Sequence, residues 1–269
     1  MKLAFIGGGN MGTAILAAVL EKKLANPGDI TVSDIVEDRL TYLRETYGVA
    51  TTGDNGLAVK GKDVVIFSIK PQTLPDVMEE LKISLVPGQL VLSIMAGIRI
   101  ETMREGLEHQ AIVRVMPNTP AQVFEGMSAW TATPEVTAAQ KEMAGSILGA
   151  IGRETYVDDE KYLDMVTAVS GSGPAYFFLF VEALTQAGIE TGLAPDVASE
   201  LVLQTMTGSA KLMRESGKTP AELREMVTSK GGTTAAALDV FKSGNFNDLV
   251  RRAVRAAYDR SIELGGGKS

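Results

Sequence analysis

Three glycines with the spacing Gly-x-Gly-x-x-Gly lie between an apolar strand pattern and a helical pattern at the start of the chain. Gly7 allows a tight turn, Gly9 lets the backbone approach a pyrophosphate, and Gly12 lets the helix pack closely on the strand. The helical run at Met11, next to Asn10, offers free N–H groups and the positive end of a helix to an anion. The pattern therefore predicts a dinucleotide site, with an ordinary glycine turn as the alternative.

Two further glycine-rich segments, residues 170–176 and 228–235, occur in the second half of the chain. Both combine backbone N–H groups that lack side-chain cover with Ser and Thr hydroxyls, and both precede a helical pattern. Such a segment suits a carboxylate ligand. Two helix-entry turns with Ser or Thr caps are the alternative. We expect a ligand role because the two segments accompany a nucleotide-binding pattern and no other catalytic candidates.

The composition disfavours several kinds of functional site. The 269 residues include no cysteine, which removes disulfides, thiolate nucleophiles and cysteine-ligated zinc. The single histidine, His109, stands in a polar run and is expected to be exposed and solvated, so neither histidine catalysis nor a metal site is predicted. A net charge of −7 without a Lys/Arg run disfavours a nucleic-acid partner.

No segment predicts a secretory route or a membrane partner. The N-terminus lacks a basic region followed by a cleavable apolar stretch. The longest apolar run, residues 174–181, ends at Glu182, well short of the ~20 apolar residues that a spanning helix needs. We therefore expect a buried helix there and a cytoplasmic location, which the lack of cysteine fits.

Strand and helix patterns alternate from residue 1 to about residue 157, which predicts a parallel sheet covered on both faces. The predicted strands are residues 2–6, 30–33, 63–69, 90–94, 111–115 and 127–133, and the predicted helices include 37–47 and 134–148. Beyond residue 158 apolar positions recur at helical spacing, with breaks at 170–174, 192–195, 217–220, 228–233 and 244–247. The fold is thus predicted to be α/β, with a Rossmann-like dinucleotide-binding domain over residues 1–160 and an all-α domain over residues 161–269.

Five segments, in order and over nearly the whole chain, resemble pyrroline-5-carboxylate reductase. They are residues 7–11, Ile69-Lys70-Pro71-Gln72, residues 116–120, residues 170–176 and residues 220–238. The last segment looks like the family signature and is the specific part. The chain departs from many relatives at Met226, where some have Asn, and at Lys230, where proline is common.

The resemblance implies that a cyclic imine, 1-pyrroline-5-carboxylate, is reduced to L-proline by hydride transfer from a nicotinamide cofactor, the last step of proline biosynthesis. A protonated imine is already electrophilic, so orientation and one hydrogen-bond partner at nitrogen suffice. The implied catalytic residues are Thr234, whose hydroxyl would meet the ring nitrogen, and Ser172, which would also help to hold the carboxylate. The implied substrate-binding residues are Gly231, Gly232, Thr233 and Glu160, with a solvated carboxylate as the alternative for Glu160.

The cofactor is expected to be NADPH or NADH. Asp34 ends the second predicted strand, where an acidic side chain accepts from an unmodified ribose 2′-OH and repels a 2′-phosphate. This favours NADH, although many relatives use NADPH. Arg39 either offsets the repulsion or is simply a solvated helix residue. The resemblance adds the nucleotide contacts Asn55, Ile69, Lys70, Pro71, Ala96 and Gly97.

Residues 175–181 are apolar at consecutive positions, so a helix there presents apolar surface all round and must be covered on every side. One chain with few amphipathic helices cannot easily do this, which predicts exchange of helices with a twofold-related copy. The resemblance implies the same interlocked homodimer, often assembled into a homodecamer, with an active site shared between subunits.

Two rival functions have a similar two-domain plan. A hydroxyacid or other imine reductase typically has a catalytic lysine in the helical half, and Lys211 and Lys230 are the nearest candidates, neither in the expected motif. A non-catalytic nucleotide-binding regulator would keep the first glycine turn and have no need of the two later segments.

Overall fold

The computed structural model describes residues 1–266, and eight strands among them form a single sheet. In chain order the strands are β1 Leu3–Ile6, β2 Ile30–Ser33, β3 Ala50–Thr52, β4 Val64–Phe67, β5 Leu90–Ser93, β6 Ile112–Met116, β7 Gly126–Ala132 and β8 Gly152–Tyr156. Their order across the sheet is β3-β2-β1-β4-β5-β6-β7-β8. The first six strands therefore have the order of a doubly wound dinucleotide-binding sheet, which confirms the predicted fold class.

The described part of the chain also contains twelve α-helices. They are α1 Asn10–Glu21, α2 Glu37–Tyr47, α3 Asn55–Val59, α4 Leu74–Lys82, α5 Ile100–Leu107, α6 Ala138–Ala150, α7 Lys161–Val166, α8 Gly173–Glu190, α9 Pro195–Glu215, α10 Pro220–Met226, α11 Thr233–Ser243 and α12 Phe246–Leu264. Helix α6 begins later than the predicted residue 134 because Thr137 and Gln140 form a capping box that fixes its start. Among the described residues, no helix has both the length and the apolar character required to cross a membrane.

Strands β1, β4 and β5 lie in the middle of the sheet, and all of their residues are buried. Alternate side chains of β1 enter two different apolar clusters, with Phe5 in one and Ile6 in the other. This is the expected environment of parallel strands that carry helices on both faces. Ile6 lies in register with Ser33 on one side and Phe67 on the other, so the carboxyl ends of three strands are flush at one edge.

The sheet differs from the prediction in three ways. Strands β3 and β8 were not predicted, and β7 runs antiparallel to β6, so the sheet is mixed. Strand β3 has only three residues. Strand β8, with the sequence Gly-Arg-Glu-Thr-Tyr, lies at the sheet edge and is largely exposed. A short strand or a solvated edge strand needs no continuous apolar run, so neither left a hydrophobic signal in the sequence.

His109 is buried, so the prediction of an exposed and solvated histidine is wrong. Its residue is 7% exposed, and its ring Nε2 lies 2.8 Å from the carbonyl oxygen of Gln89. Glu108, just before it, has a left-handed backbone with φ of 48° at the end of α5. This change in backbone direction brings the chain toward the sheet. The polar residues beside His109 in the sequence did not indicate that His109 would be buried.

Contacts within the chain define two compact units, Met1–Ser172 together with the segment from Ala257 onward, and Gly173–Ala256. The first unit contains the whole sheet, and the second consists of helices. The predicted domain boundary at residue 160 remains a prediction.

Helix α8 is largely uncovered in the helical unit of this single chain, so its predicted burial requires cover from a second copy and remains a prediction. It packs on α9 near Gly188, where an added Cβ would lie 3.4 Å from the Cβ of Ala198. On the same helix Phe177, Phe178 and Leu179 are 60%, 63% and 66% exposed. A contiguous apolar surface of this kind marks an interaction site.

Candidate active site

The glycine turn lies at the carboxyl edge of the sheet, between β1 and α1. Gly7 has a φ of 96°, and an added Cβ would lie 2.9 Å from the carbonyl oxygen of Ser68. A Cβ at Gly12 would lie 2.8 Å from the carbonyl oxygen of Gly7. At Gly9, by contrast, the nearest atom to an added Cβ is 4.0 Å away. The protein's own packing thus requires Gly7 and Gly12, whereas Gly9 borders open space that a ligand can occupy.

Helix α1 begins with its amide groups uncovered. Gly9 is its N-cap, and neither a side-chain cap nor an acidic residue occupies its first turn. Gly9 and Asn10 are exposed, and Met11 is half-buried. The uncapped N–H groups and the positive end of the helix therefore face the crevice beside β1 and β4, where the strand order reverses. This arrangement suits a pyrophosphate.

Two charged side chains hold the peptide groups of Gly8 from both sides. Asp34 Oδ2 accepts from the Gly8 amide at 2.7 Å, and Arg39 Nε donates to the Gly8 carbonyl. Arg39 Nη2 also donates to Thr13 Oγ1 at 2.6 Å, and its guanidinium lies 5.0 Å from the ring centre of Tyr42. Arg39 is therefore part of the glycine turn rather than a solvated helix residue. The sequence signal for this contact was a basic residue in the first turn of α2, the helix that follows Asp34.

Ser68 is a residue of this site that the sequence analysis missed. It follows β4 directly, and its Oγ donates to the carbonyl oxygen of Gly7 at 2.7 Å. The same hydroxyl would lie 2.6 Å from a Cβ added at Gly12. Ser68 therefore fixes the distance between β4 and the start of α1. The sequence signal that could have identified Ser68 as a site residue was its position at the carboxyl end of a buried strand.

The remaining predicted nucleotide contacts follow the carboxyl ends of three strands. Asn55, at the start of α3, accepts from Ser33 Oγ at 2.7 Å and donates to Glu80 at 2.6 Å. Ile69, Lys70 and Pro71 follow β4, and Ala96 and Gly97 follow β5. Lys70 and Ala96 are exposed, and Gly97 has a φ of 75°. These residues share the edge at which open parallel sheets bind ligands, and their binding roles remain predictions.

Residues 170–176 form helical structure instead of the predicted open loop. A π-helical segment, Thr167–Gly171, leads directly to α8, and the Ser172 amide donates to the Thr167 carbonyl at 2.8 Å. The wider i→i+5 hydrogen-bonding pattern accommodates the glycines, so the helical structure continues through them without a break. Because the Ser172 amide is already hydrogen-bonded, only the half-buried Ser172 side chain is available for the predicted role.

The second segment does form an open turn. Gly231 has a φ of 71°, and the Gly232 amide donates to the Ser229 carbonyl at 3.0 Å. Gly232 is the N-cap of α11 and no side chain caps that helix, so the alternative of a Ser- or Thr-capped entry turn does not hold here. Thr233 and Thr234 occupy the first turn of α11, with Thr234 half-buried.

Glu160 has two partners within the sheet unit. Its Oε1 accepts from Arg114 Nη1 at 2.6 Å and from the Ile100 amide at 2.8 Å. Arg114 is 4% exposed, so Glu160 neutralises a buried charge and satisfies an amide at the start of α5. A substrate-binding role for Glu160 remains a prediction.

The sheet order, the uncapped glycine turn at its carboxyl edge and the helical unit define a nucleotide-dependent oxidoreductase with two parts. Residues 2–97 match the family model "NADP oxidoreductase coenzyme F420-dependent", and residues 160–264 match the model "Pyrroline-5-carboxylate reductase dimerisation". A pyrroline-5-carboxylate reductase of Pseudomonas aeruginosa is 42% identical over 264 residues, which cover 98% of this chain and 96% of the relative. The chain belongs to the pyrroline-5-carboxylate reductase family.

Two solved structures of the family are similar to the chain throughout. A pyrroline-5-carboxylate reductase from Coxiella burnetii has a TM-score of 0.93 and 38% identity, and the match covers 100% of this chain and 99% of the other. The Plasmodium falciparum enzyme, solved with NADP bound, has a TM-score of 0.88 and 29% identity over 98% of each chain. The chain is thus an oxidoreductase with a nicotinamide dinucleotide cofactor, and its helical half mediates self-association.

Proposed function

We propose that this chain reduces the C=N bond of 1-pyrroline-5-carboxylate to give L-proline, with NAD(P)H as the hydride donor. The observation that carries the proposal is the open, uncapped glycine turn at the carboxyl edge of the sheet, in a chain that matches the family over its whole length. The turn supplies the amides for the pyrophosphate of the cofactor. The dihydronicotinamide, when bound, supplies the hydride that the imine carbon receives.

The remaining chemistry falls to side chains and amides of this chain. We assign the Thr234 hydroxyl to the ring nitrogen, which gains the electron pair of the C=N bond as the new C–H bond forms. The amides of Gly231 and Thr233 would bind the carboxylate, together with the Ser172 hydroxyl, while Gly232, whose own amide donates to the Ser229 carbonyl, shapes the turn between them. Their task is to orient an electrophile that is already activated by its proton.

We further propose that the assembly is an interlocked homodimer with a shared active site, and that dimers join into a homodecamer. The exposed apolar side chains of α8 support a large interface of the obligate kind. The proposed domains are residues 1–160 for the nucleotide and residues 161–269 for association and substrate. A reducing, cytoplasmic location fits the cysteine-free composition.

For the cofactor we propose a preference for NADH over NADPH. Asp34 Oδ2 already accepts from Gly8 and its Oδ1 accepts from the Val36 amide at 3.0 Å, so the carboxylate is fixed beside the turn. A fixed carboxylate suits a ribose 2′-OH and repels a 2′-phosphate. Arg39 donates to the carbonyl of the same residue, Gly8, and supplies an opposing positive charge, which keeps the preference modest.

The deciding experiment adds 1-pyrroline-5-carboxylate to the purified full-length protein and follows the loss of NADH or NADPH absorbance. Proline formation at the same rate as cofactor oxidation is the expected result. Turnover only with a 2-hydroxyacid and NAD⁺, or with unrelated imines, would indicate the rival reductase. Cofactor binding without turnover would indicate the regulator.

A further inference from the structure

The segment that links β5 to α5 carries two of the predicted nucleotide contacts, Ala96 and Gly97. Strand β5 pairs in parallel with β4, so this segment borders the crevice in which the fold binds dinucleotides. Between Ser93 and Arg99 its side chains are apolar or absent. Apart from the Ser93 hydroxyl, which accepts from the Met95 amide at 3.4 Å, the segment has no polar side chain before Arg99 with which to fix its own conformation.

Helix α7 contributes two acidic side chains that hold the end of this segment. Glu160, its N-cap, accepts from the Ile100 amide, and Asp164 Oδ2 pairs with Arg99 Nη2 at 2.9 Å. Asp164 is 3% exposed and lies one helical turn beyond Glu160. A buried carboxylate with an arginine partner leaves an uncompensated charge when either member is removed, so the pair fixes its surroundings firmly.

The other oxygen of Asp164 receives a hydrogen bond from the far end of the chain. Ser261 Oγ, which is itself in a residue only 5% exposed, donates to Asp164 Oδ1 at 2.8 Å. Ser261 lies in the last turns of α12, which belong to the same compact unit as the sheet. Asp164 thus joins Arg99 to residues that are distant in sequence.

The backbone at the end of α12 also lies directly against the segment. A Cβ added at Gly97 would lie 3.3 Å from the Cβ of Leu264. A Cβ added at Gly265 would lie 2.8 Å from Arg99 Nε, so the guanidinium lies close to the backbone at that residue. The segment is therefore supported from Gly97 to its end by α7 and by the C-terminal end of α12.

We propose that Asp164 and Ser261 are positioning residues for the cofactor, which hold Ala96 and Gly97 in their binding conformation through Arg99. The inference rests on the proposed role of Ala96 and Gly97 in nucleotide binding. Without the buried contacts of Asp164 and Ser261, the apolar segment is not held in its binding conformation beforehand. Cofactor binding must then also order the segment, and the free-energy cost of that ordering weakens cofactor binding.

The test uses Ser261→Ala and Asp164→Asn in the full-length enzyme, with the dissociation constant for NADH measured by calorimetry. Each variant should bind NADH about three- to tenfold more weakly, the loss expected when binding must order a segment that was pre-organised. The KM for 1-pyrroline-5-carboxylate at saturating NADH should stay close to that of the wild type. Arg99→Gln combined with Asp164→Asn should weaken binding no more than either alone, because the two act as one unit.

A matched control is Gln140→Ala. Gln140 is also buried, caps α6 and donates to the Gly88 carbonyl at 3.1 Å, before the amino end of β5. Its loss should lower the melting temperature without changing NADH affinity. The positioning proposal is overturned if Ser261→Ala and Asp164→Asn also lower the melting temperature without changing NADH affinity. The proposed function of the enzyme still stands in that case. If Asp164→Asn does not fold, Ser261→Ala decides, since it removes a single hydroxyl. A wild-type protein that binds neither NADH nor NADPH would overturn both.

Discussion

The two halves of the chain differ in how far their apolar side chains are buried. In the sheet unit, the central strands and the inward sides of the helices over them bury large apolar side chains such as Phe5, Ile15 and Leu43. In the helical unit, Phe178, Leu179 and Val240 are 63%, 66% and 71% exposed. Both halves contain apolar runs, so composition does not explain the difference.

The difference shows which half is complete within one chain. A sheet with helices on both faces closes its own core, whereas a few long helices in the helical unit leave their apolar surfaces uncovered. The family model that matches residues 160–264 is a dimerisation model, which supports the proposal that a second copy provides the missing cover. Substitutions in the two halves should therefore affect different properties of the protein.

Phe178→Asp should abolish both dimerisation and activity, because it places a charge in an apolar surface that a second copy covers. Light scattering and NADH oxidation measure the two effects. The matched control is Ile83→Asp at the end of α4, where an exposed apolar residue of the sheet unit, 91% exposed, is changed in the same way. The control should keep both association and activity. A monomeric but active Phe178→Asp protein would remove the basis of the comparison.

Gly9→Val should abolish cofactor binding and leave the protein folded and assembled. The added side chain meets no protein atom closer than 4.0 Å at its Cβ, so it fills the space meant for the pyrophosphate. Calorimetry with NADH and with NADPH tests this. Gly28→Val, at another glycine with open surroundings, should bind as the wild type does. Unchanged affinity in folded Gly9→Val would show that the pyrophosphate lies elsewhere.

Thr234→Val should lower the turnover rate by about ten- to a thousandfold, because the hydroxyl acts mainly in the transition state. The dissociation constant for NADH should be nearly unchanged. Thr234→Ser, which keeps the hydroxyl, should recover most of the turnover. Wild-type turnover in the valine variant would transfer the role to Ser172 or to a bound water.

Asp34→Ser should raise activity with NADPH relative to NADH, since it removes a carboxylate that repels the 2′-phosphate. The ratio of kcat/KM for the two cofactors measures the change, and Arg39→Gln should move that ratio in the opposite direction. A wild-type preference for NADPH of about tenfold, equivalent to about 1.4 kcal/mol, would show that Asp34 does not set the choice.

The elements that depend on local pattern could be predicted from the sequence alone. Continuous apolar runs identified β1, β4 and β5, and the spacing of Gly7, Gly9 and Gly12 identified the nucleotide turn. These signals are local because a strand buried on both faces must be apolar throughout and a tight turn must contain glycine. The ordered motifs likewise sufficed to identify the family.

Contacts between residues that are distant in sequence could be identified only in the folded chain. The burial of His109, the hold of Arg39 on the Gly8 carbonyl and the bond from Ser261 to Asp164 each join parts of the chain whose own neighbourhoods look polar and ordinary. Propensity and periodicity report on neighbours along the chain, whereas a buried polar group is defined by the partner that folding brings to it. For that reason the residues that support the site had to be seen in three dimensions.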